Sequence, residues 1–450
     1  MKASKMATCL AALCTLYGIG AYAATWVNTS GTSSVNWRSS SCDPGWDVVY
    51  PDGQGAVAIF PAASKKNSVV VEGADGIRLG SLILDAGTQN ADFEIKNPSG
   101  TAAPIPALTF DQDGDGSGYA VISNTSKRAR VSLGSSYTIN LADDLLLVNR
   151  GDESYSRTFA ISITGPITGS GKLIVDSDQN YTNGCVAISS SSSSFVGETH
   201  VVSGCLKVQN NKPFGDFSNV VRLGKTGGPE AKILLDGSAP TISNPIVVES
   251  GASGELSLGV VVVNAATFKS TFAGALTLNG SVSFDVPLCF VKNGTSYYGT
   301  NVVSGAISGA GRLTKKKDGV LKIESASNVW TGGTTVSDGT LVVAAGSSLG
   351  SGDVEVSRGA TLELLGSDAI SDSANLAIGD DGSAVGVICV PDGTTEVVAR
   401  ISVGGKLVSK GTYAALDSSA GGAVVKVPWI SGTGLMRALD GKSGMAIIIR

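Results

Sequence analysis

The chain has 450 residues, of which 59 are glycine, 42% are hydrophobic and 16% are charged, and its formal net charge is −5. This composition is apolar enough for an ordered core, and the length suffices for one long solenoid or two all-β units. The acidic balance excludes a basic nucleic-acid-binding face, so no nucleic-acid partner is expected. The only basic run, Lys315-Lys316-Lys317, falls in a predicted turn and is interpreted as a solvated loop.

Residues 1–23 have the features of a secretory signal peptide. Lys2 and Lys5 are the positive charges, Met6–Ile19 is mostly apolar, and Ala21-Tyr-Ala23 is a small-x-small cleavage site. Cleavage removes two lysines and no acidic residue, so the formal charge moves from −5 to −7. No later segment reaches about 18 consecutive apolar residues. We therefore expect an exported protein, extracellular or at the cell surface, without a transmembrane segment after signal removal.

The region after the signal is rich in tryptophan. Trp26, Trp37 and Trp46 lie among Ser, Gly and Asn residues. Exposed, they would offer a stacking platform for sugar rings; buried, they would close the first coil of a solenoid, which is the interpretation we favour. Short strands are predicted to follow at Ser68–Val71, Ile77–Leu84, Phe93–Ile95 and Ala107–Phe110. Ile139–Val148 is predicted to be a pair of strands broken by Asp143-Asp144.

An acidic motif follows the strand at Ala107–Phe110. It reads Asp111-Gln-Asp113-Gly-Asp115-Gly, which matches the first half of an EF-hand calcium loop. The bidentate Glu of that loop is missing, since Ile122 occupies the twelfth position, and no helix is predicted on either side. A β-turn with acidic side chains is the favoured interpretation. Calcium is the one cofactor left open, with Asp111, Asp113 and Asp115 as its candidate ligands.

Two parts of the chain repeat each other. Phe195–Asp216 aligns without a gap on Trp330–Ser351 at a constant offset of 135 residues. A glycine-containing lead-in also recurs, as Gly165-Pro-Ile-Thr-Gly-Ser-Gly171 and Gly305-Ala-Ile-Ser-Gly-Ala-Gly311. Alternating apolar residues predict strands, and glycine at the turns is typical of backbone with positive φ. Strands this short must stack on neighbouring coils. The aligned identities are Gly197/Gly332, Thr199/Thr334, Val201/Val336, Gly204/Gly339, Leu206/Leu341, Val208/Val343 and Gly215/Gly350.

The second repeat resembles a known family. The run Leu313-Thr-Lys315, Asn328-Val-Trp330-Thr-Gly332 and Gly339-Thr-Leu341 is similar to the autotransporter-associated β-strand repeat, also called the passenger-associated transport repeat. Lys317-Asp318 and Val320 depart from the usual K-x-G-x-G-T spacing, and Trp330 stands where Tyr is usual. The resemblance implies a right-handed β-helix on a secreted or surface-displayed bacterial protein associated with the outer membrane, and it implies no catalytic residues. We expect only the passenger part, without the C-terminal membrane barrel.

Five cysteines remain after cleavage, Cys42, Cys185, Cys205, Cys289 and Cys389, and none forms a CxxC motif. Cys185 and Cys205 flank the first repeat, where a bridge between coils is an alternative to the favoured pair of buried thiols. His200 is the single histidine, which excludes a His-pair metal site and makes it the necessary base of any Ser-His-Asp triad.

The predicted fold is all-β, a right-handed parallel β-helix, with tandem β-sandwich units as the alternative. The predicted segments are a signal peptide at 1–23, a Trp-rich cap and strand region at 24–164, a solenoid with the first repeat at 165–304, the second repeat at 305–366, and a C-terminal β region at 367–450. Five strands of the second repeat are predicted, at Leu321–Ile323, Thr334–Val336, Thr340–Val343, Val354–Val356 and Thr361–Leu364.

The expected function is that of a structural or adhesin-like surface protein without catalytic, cofactor-binding or metal-binding residues, calcium aside. Its expected partners are surface glycans or other cell-surface proteins. The alternative is a carbohydrate-binding or polysaccharide-cleaving β-helix, a lyase or glycosidase, since carboxylates on neighbouring coils can converge on one face.

Overall fold

The computed structural model describes residues 23–25, 35–37, 50–61, 67–70, 76–85, 91–96, 107–113, 118–125, 129–134, 137–150, 159–178, 185–236, 240–261, 269–292, 295–298 and 300–441. These residues form strands and turns, and no helix occurs among them. The chain forms two compact units. The N-terminal unit comprises Met1–Gly224 and Gly228–Ile233, and the C-terminal unit comprises Lys225–Gly227 and Leu234–Arg450.

The N-terminal unit is a stack of coils whose strands pair in parallel. One coil contains Thr138–Leu141, Asp144–Asn149 and Phe159–Ile163. Each pairs with its counterpart one coil later, Ile167–Gly169, Leu173–Ser177 and Cys185–Ile188. The coil therefore has three strand-forming faces. The strands are Ala23–Thr25, Val35–Asn36, Val57–Pro61, Asn67–Val70, Ile77–Leu79, Ser81–Asp85, Ala91–Lys96, Ala107–Phe110, Tyr119–Asn124, Ala129–Leu133, Thr138–Leu141, Asp144–Asn149, Phe159–Ile163, Ile167–Gly169, Leu173–Ser177, Cys185–Ile188, Thr199–Val208 and Val221–Leu223.

The C-terminal unit is built in the same way. Leu276–Leu278, Val282–Asp285 and Thr300–Val303 pair in parallel with Ile307–Gly309, Leu313–Lys316 and Val320–Ile323 of the next coil. The strands are Thr241–Ile242, Ile246–Val248, Leu256–Val260, Lys269–Phe272, Leu276–Leu278, Val282–Asp285, Leu288–Lys292, Thr295–Tyr298, Thr300–Val303, Ile307–Gly309, Leu313–Lys316, Val320–Ile323, Thr334–Val336, Thr340–Val343, Val354–Val356, Thr361–Leu364, Asn375–Ile378, Val387–Cys389, Thr395–Val398, Arg400–Val403, Lys406–Leu407, Gly411–Ala415, Val424–Val427, Ile430–Ser431 and Leu435–Ala438, while Ala231–Leu235 crosses the boundary between the units.

The core of each unit consists of columns of inward-facing side chains. Because strand side chains alternate between faces, parallel pairing in register places every second residue above its counterpart in the coil below. In the N-terminal unit one such column contains Leu82, Ile122, Leu147, Val175 and Val201, all fully buried. In the C-terminal unit an equivalent column contains Leu321, Leu341, Leu362 and Ile388. Stacked aliphatic columns of this kind are the main source of stability in a β-helix.

The recurring lead-in marks a place where successive coils touch through their backbones. A Cβ atom at Gly165, Gly169 or Gly171 would collide with a carbonyl oxygen of the preceding coil, in Tyr137, Leu141 and Asp143 respectively. The same holds for the second lead-in, where a Cβ atom at Gly305, Gly309 or Gly311 would collide with the carbonyl oxygens of Gly274, Leu278 and Gly280. The motif is therefore a packing element, in which glycine permits close stacking.

The two repeats adopt the same backbone conformation at their aligned glycines. Gly204 and Gly339 have φ of 72° and 62°, and Gly215 and Gly350 have φ of 72° and 68°. The aligned aromatic residues Phe195 and Trp330 are both fully buried. The repeat identified in the sequence therefore corresponds to a repeated structural unit.

The parallel β-helix predicted from the sequence is confirmed, and the tandem β-sandwich alternative is wrong because sandwiches are built from antiparallel strands. Antiparallel pairs here are peripheral, for example Arg400–Val403 with the short Lys406–Leu407. Four of the five strands predicted in the second repeat have the predicted bounds, and the fifth begins one residue earlier, at Val320. The strand pair predicted within Ile139–Val148, with its break at Asp143-Asp144, corresponds to Thr138–Leu141 and Asp144–Asn149, between which the chain turns a corner.

Trp37 is fully buried, and its indole Nε1 donates a hydrogen bond to the carbonyl oxygen of Pro51 at 2.9 Å. Its ring lies 5.9 Å from that of Phe60, which in turn contacts Phe93. This packing fits the cap interpretation and excludes Trp37 from an exposed sugar platform. Trp26 and Trp46 lie outside the described residues.

Candidate functional site

A cleft in the C-terminal unit arises from a difference in corner length between successive coils. Residues 249–255 connect Ile246–Val248 to Leu256–Val260, whereas only residues 279–281 and 310–312 make the equivalent connection in the next two coils. Since the flanking strands remain in register, the extra residues must project outward. They form a wall over the outer surface of the following coils.

The cleft beside this wall has a volume of about 340 Å³. Its wall contributes Glu249 and Glu255, and its floor is the outer surface of two adjacent strands, presenting Ser283 and Thr314. Glycines at the corners keep the approach open. The lining residues are Glu249, Gly251, Ala252, Gly254, Glu255, Leu256, Gly280, Ser281, Val282, Ser283 and Thr314. The arrangement is a polar concave surface on an otherwise regular ladder.

The hydroxyl groups of the floor differ in their partners. The Ser281 hydroxyl accepts a hydrogen bond from the backbone N–H of Arg312 at 3.3 Å. Ser283 is 6% exposed and lines the cleft. Thr314 is half-buried beside it. The floor therefore presents serine and threonine hydroxyl groups to the cleft.

The charged side chains that line the cleft are the carboxylates of Glu249 and Glu255. Lys316 Nζ contacts Glu255 Oε1 at 2.5 Å. This ion pair joins the end of the wall to the strand Leu313–Lys316, which lies two strands along the face from Leu256–Val260. Glu249 supplies a further carboxylate. The guanidinium of Arg312 is directed to the Thr335 hydroxyl at 2.9 Å, on the next strand along the face.

Of the predicted calcium ligands in the N-terminal unit, Asp111 has its carboxylate in a contact between coils, and Asp113 takes part in one through its backbone N–H. Asp111 is 3% exposed; its carboxylate pairs with Arg78 Nε at 3.3 Å and accepts a hydrogen bond from Gln54 at 3.1 Å. In the following coil, Asp143 accepts the backbone N–H of Asp113 at 3.1 Å. Asp115 lies outside the described residues.

No group of three or more His, Cys, Asp or Glu side chains able to hold a metal ion is found within the ranges that the structure describes. His200 is half-buried on the outer surface of the N-terminal unit, and its Nε2 donates to the carbonyl oxygen of Gly224 at 2.8 Å. The imidazole therefore links the strand Thr199–Val208 to the turn that follows the adjacent strand, Val221–Leu223.

The interpretation of Lys315-Lys316-Lys317 as a solvated loop is wrong for its first two members. Lys315 and Lys316 belong to the strand Leu313–Lys316, and Lys315 is fully buried in an inward column between Phe284 and Val336. Its ammonium donates to the carbonyl oxygens of Lys316, Lys317 and Asp338 at 2.9, 2.6 and 3.1 Å. Burial lowers the pKa of Lys315 to about 8. Lys317 alone lies in the turn, with φ of 67°.

The preference for free thiols at Cys185 and Cys205 is also wrong. The two residues form a disulfide with a Cα–Cα distance of 4.9 Å, between Cys185–Ile188 and the long strand Thr199–Val208. Pairing of Val186 with Leu206 places the cysteines next to each other at the start of this ladder. Cys389 is free, whereas Cys42 and the side chain of Cys289 lie outside the part of the chain that the structure describes.

No protein-family model matches the chain, and neither the curated proteins nor the solved structures compared with it give a match. Within the described residues, no helix is long and apolar enough to span a membrane. The sequence did not single out Glu249, Glu255, Ser283 or Thr314. The signal that could have found them is the longer, glycine-containing corner at residues 249–255.

Proposed function

We propose that the protein is an exported, surface-displayed structural or adhesin-like β-helix without catalysis of its own. The observation that supports this proposal is that buried and half-buried polar side chains form hydrogen bonds and ion pairs within the fold. Asp111, Asp143, His200 and Lys315, the groups best suited to acid–base or metal chemistry, all bond to neighbouring coils or corners. Their bonding contributes to coil stacking, the principal requirement of a passive scaffold.

Three sequence features support export and display. These are the signal peptide at residues 1–23, the resemblance of the second repeat to the autotransporter-associated β-strand repeat, and the cysteine pair at Cys185 and Cys205. A disulfide is typical of oxidising compartments outside the cytoplasm. Surface glycans and other cell-surface proteins are the proposed partners.

A second candidate function is carbohydrate binding, favoured by the cleft at residues 249–255. It combines carboxylates with hydroxyl groups, which are common partners of sugar hydroxyls, in a concave site. Binding at this cleft is compatible with a scaffold role and requires no catalysis.

The test of the scaffold proposal uses the chain from Ala24 to Arg450, incubated with a panel of polysaccharides with and without EDTA. We expect no release of reducing ends or unsaturated products, with a β-type circular dichroism spectrum retained. Turnover that co-purifies with the protein would overturn the proposal. Detection of the protein only in the cytoplasm, with residues 1–23 still attached, would overturn its export. A lower unfolding temperature in EDTA would assign calcium to the protein, with Asp111, Asp113 and Asp115 the first residues to substitute.

A further inference from the structure

The last sheet of the C-terminal unit has an open edge. Its four strands are, in order across the sheet, Thr395–Val398, Leu435–Ala438, Gly411–Ala415 and Val424–Val427. Val424–Val427 pairs in parallel with Gly411–Ala415 on one side, and within the described residues no strand pairs with its other side. Backbone N–H and C=O groups along such an edge can pair with a further strand, and natural proteins usually cover them.

Side chains on the inner face of this sheet become exposed towards that edge. Met436, Tyr413 and Val425 are paired in register on three adjacent strands, so their side chains share a face. Met436 is fully buried and Tyr413 is 4% exposed, whereas Val425 is 53% exposed. The buried row thus ends on an exposed valine, beside which a further strand would place an apolar side chain.

The described part of the chain ends at a point from which this edge can be reached. A Cβ atom at Gly441, the last described residue, would collide with the backbone nitrogen of Lys410. Gly441 therefore lies beside the start of Gly411–Ala415, and the parallel strand Val424–Val427 starts at the same end of the sheet. Crossing two strand spacings of about 4.8 Å each takes about three or four extended residues at about 3.3 Å per residue.

The sequence that follows Gly441 fits a strand at this edge. Residues 442–450, which lie outside the described residues, read Lys-Ser-Gly-Met-Ala-Ile-Ile-Ile-Arg. Residues 442–445 supply the length needed for the crossing. Residues 446–449 match Val424–Val427 in length, and consecutive isoleucines have high β propensity.

We propose that residues 446–449 pair in parallel with Val424–Val427 as the fifth and outermost strand of this sheet, with Ile447 beside Val425. Parallel pairing follows from entry at the end of the sheet where Val424–Val427 starts. The added strand covers the open edge of the C-terminal unit, which is the role of a terminal cap in a repeat protein. The proposal is independent of catalysis, export and ligand binding.

Hydrogen–deuterium exchange tests the pairing, in the exported chain and in a chain that ends at Gly441. The amides of Val424–Val427 should exchange at least about tenfold faster in the shorter chain, because the hydrogen bonds of the added strand are lost. Thr334–Val336, in another sheet of the same unit, should exchange equally in both. Equal exchange of Val424–Val427 in the two chains would overturn the proposal. Faster exchange at Thr395–Val398 instead would assign residues 446–449 to the opposite edge and would also overturn it.

Ile447→Asp and Ile448→Asp form a matched pair in the full-length chain. In the proposed register Ile447 faces the buried row, and Ile448 lies on the outer face with Lys426. Ile447→Asp should accelerate exchange of Val424–Val427 as much as the shorter chain does, since burial of a carboxylate is costly. Ile448→Asp should change it by less than about threefold. Equal effects of the two substitutions would overturn the proposed pairing, including where the shorter chain fails to fold.

A cross-link identifies which molecule supplies the strand. Val425→Cys combined with Ile447→Cys places two cysteines opposite each other on adjacent strands, about 4.8 Å apart, which a disulfide can span. We expect this bond to form within one chain, as shown by non-reducing electrophoresis and peptide mapping. Val425→Cys with Ile448→Cys, whose side chains point to opposite faces, is the control and should remain reduced. A bond found only in dimers would assign the strand to a second copy and overturn pairing within one chain.

Discussion

Glu396 is a carboxylic acid that is fully buried in the C-terminal unit. It lies on the strand Thr395–Val398, and its Oε1 accepts a hydrogen bond from the backbone N–H of Ile370 in the turn after Thr361–Leu364. Burial raises its pKa to about 7; backbone N–H groups at Ile370 and Ala369 oppose the shift, and the nearby Asp368 carboxyl adds to it. This side chain is therefore protonated in the folded protein under conditions where an exposed glutamate is ionised.

Because the pKa of Glu396 is raised in the folded state, the free energy of unfolding should depend on pH, with a sign that follows from this shift. Between pH 4.5 and about 7 the folded state holds a proton on Glu396 that the unfolded state releases, so the free energy of unfolding falls as pH rises through this window. Replacement by Gln keeps an acceptor for Ile370 and removes the titration. Across this pH window the free energy of unfolding of the wild type should fall by up to about 3 kcal/mol relative to that of Glu396→Gln. Urea unfolding at several pH values measures this difference.

Glu363→Gln is the control for this prediction, since Glu363 is half-buried on the outer surface of the same unit. It should follow the wild-type pH dependence. A wild-type curve that stays parallel to that of Glu396→Gln from pH 4.5 to 8 would contradict the buried titration at Glu396.

Lys315 shows why burial of charge was hard to predict. The alternation of Leu313, Thr314 and Lys315 places Lys315 on the inward face, but the charge of three consecutive lysines favoured a solvated turn. The outcome depends on the length of the lysine stem, which carries the ammonium past the apolar column to carbonyl oxygens at the corner. Those carbonyls are brought together only by coil stacking, which no local pattern in the sequence reports.

The bounds of the strands were predicted more accurately than the environments of single side chains. This holds where glycine or Asp-Gly turns lie on both sides of a run of β-branched residues. Thr334–Val336 and Thr340–Val343 are bounded in this way, and their predicted limits agree with the structure. The cleft could not be predicted in the same manner. It depends on comparing the corner at 249–255 with the corners that lie below it, and this requires knowing which strands pair.

The lead-in glycines permit a test of coil stacking. A methyl group at Gly311 would collide with the carbonyl oxygen of Gly280, which is backbone and cannot move without separating the coils. Gly311→Ala should therefore destabilise the protein by about 2 kcal/mol or more, in the range for overpacked positions. Thermal and urea unfolding measure the loss.

Gly421→Ala is the matched control in the same unit, because nothing lies within 4 Å of a Cβ atom built there and its φ is not positive. It should be neutral or slightly stabilising, since alanine restricts the unfolded chain. Equal stability of Gly311→Ala and Gly421→Ala would show that the coils do not stack through this glycine.

For the molecule as a whole, the disulfide is informative because such bonds are typical of oxidising compartments outside the cytoplasm. Cys185 and Cys205 are 20 residues apart and fully buried. A bridge that closes a loop of this size contributes about 3 kcal/mol to stability. Protein purified without reductant should yield a cross-linked Cys185–Cys205 peptide on non-reducing digestion, and reduction should lower its unfolding midpoint.

Two variants test the assignment of this bridge. The double substitution Cys185→Ala and Cys205→Ala should make the midpoint insensitive to reductant, whereas Cys389→Ala, at a free and half-buried cysteine, should leave the sensitivity intact. Reductant sensitivity that survives the double substitution would place the stabilising bridge elsewhere in the chain.

The longer corner at residues 249–255 leaves its surroundings undisturbed. Leu256–Val260, which follows it, still pairs with Val282–Asp285 in regular register. Lengthening a surface loop costs little chain entropy once its ends are fixed. Corners of this fold are accordingly graft points: loop exchange at residues 249–255 can change the surface that the corner presents while the strand pairing beneath it is kept, so one coil can diversify without the others having to adapt.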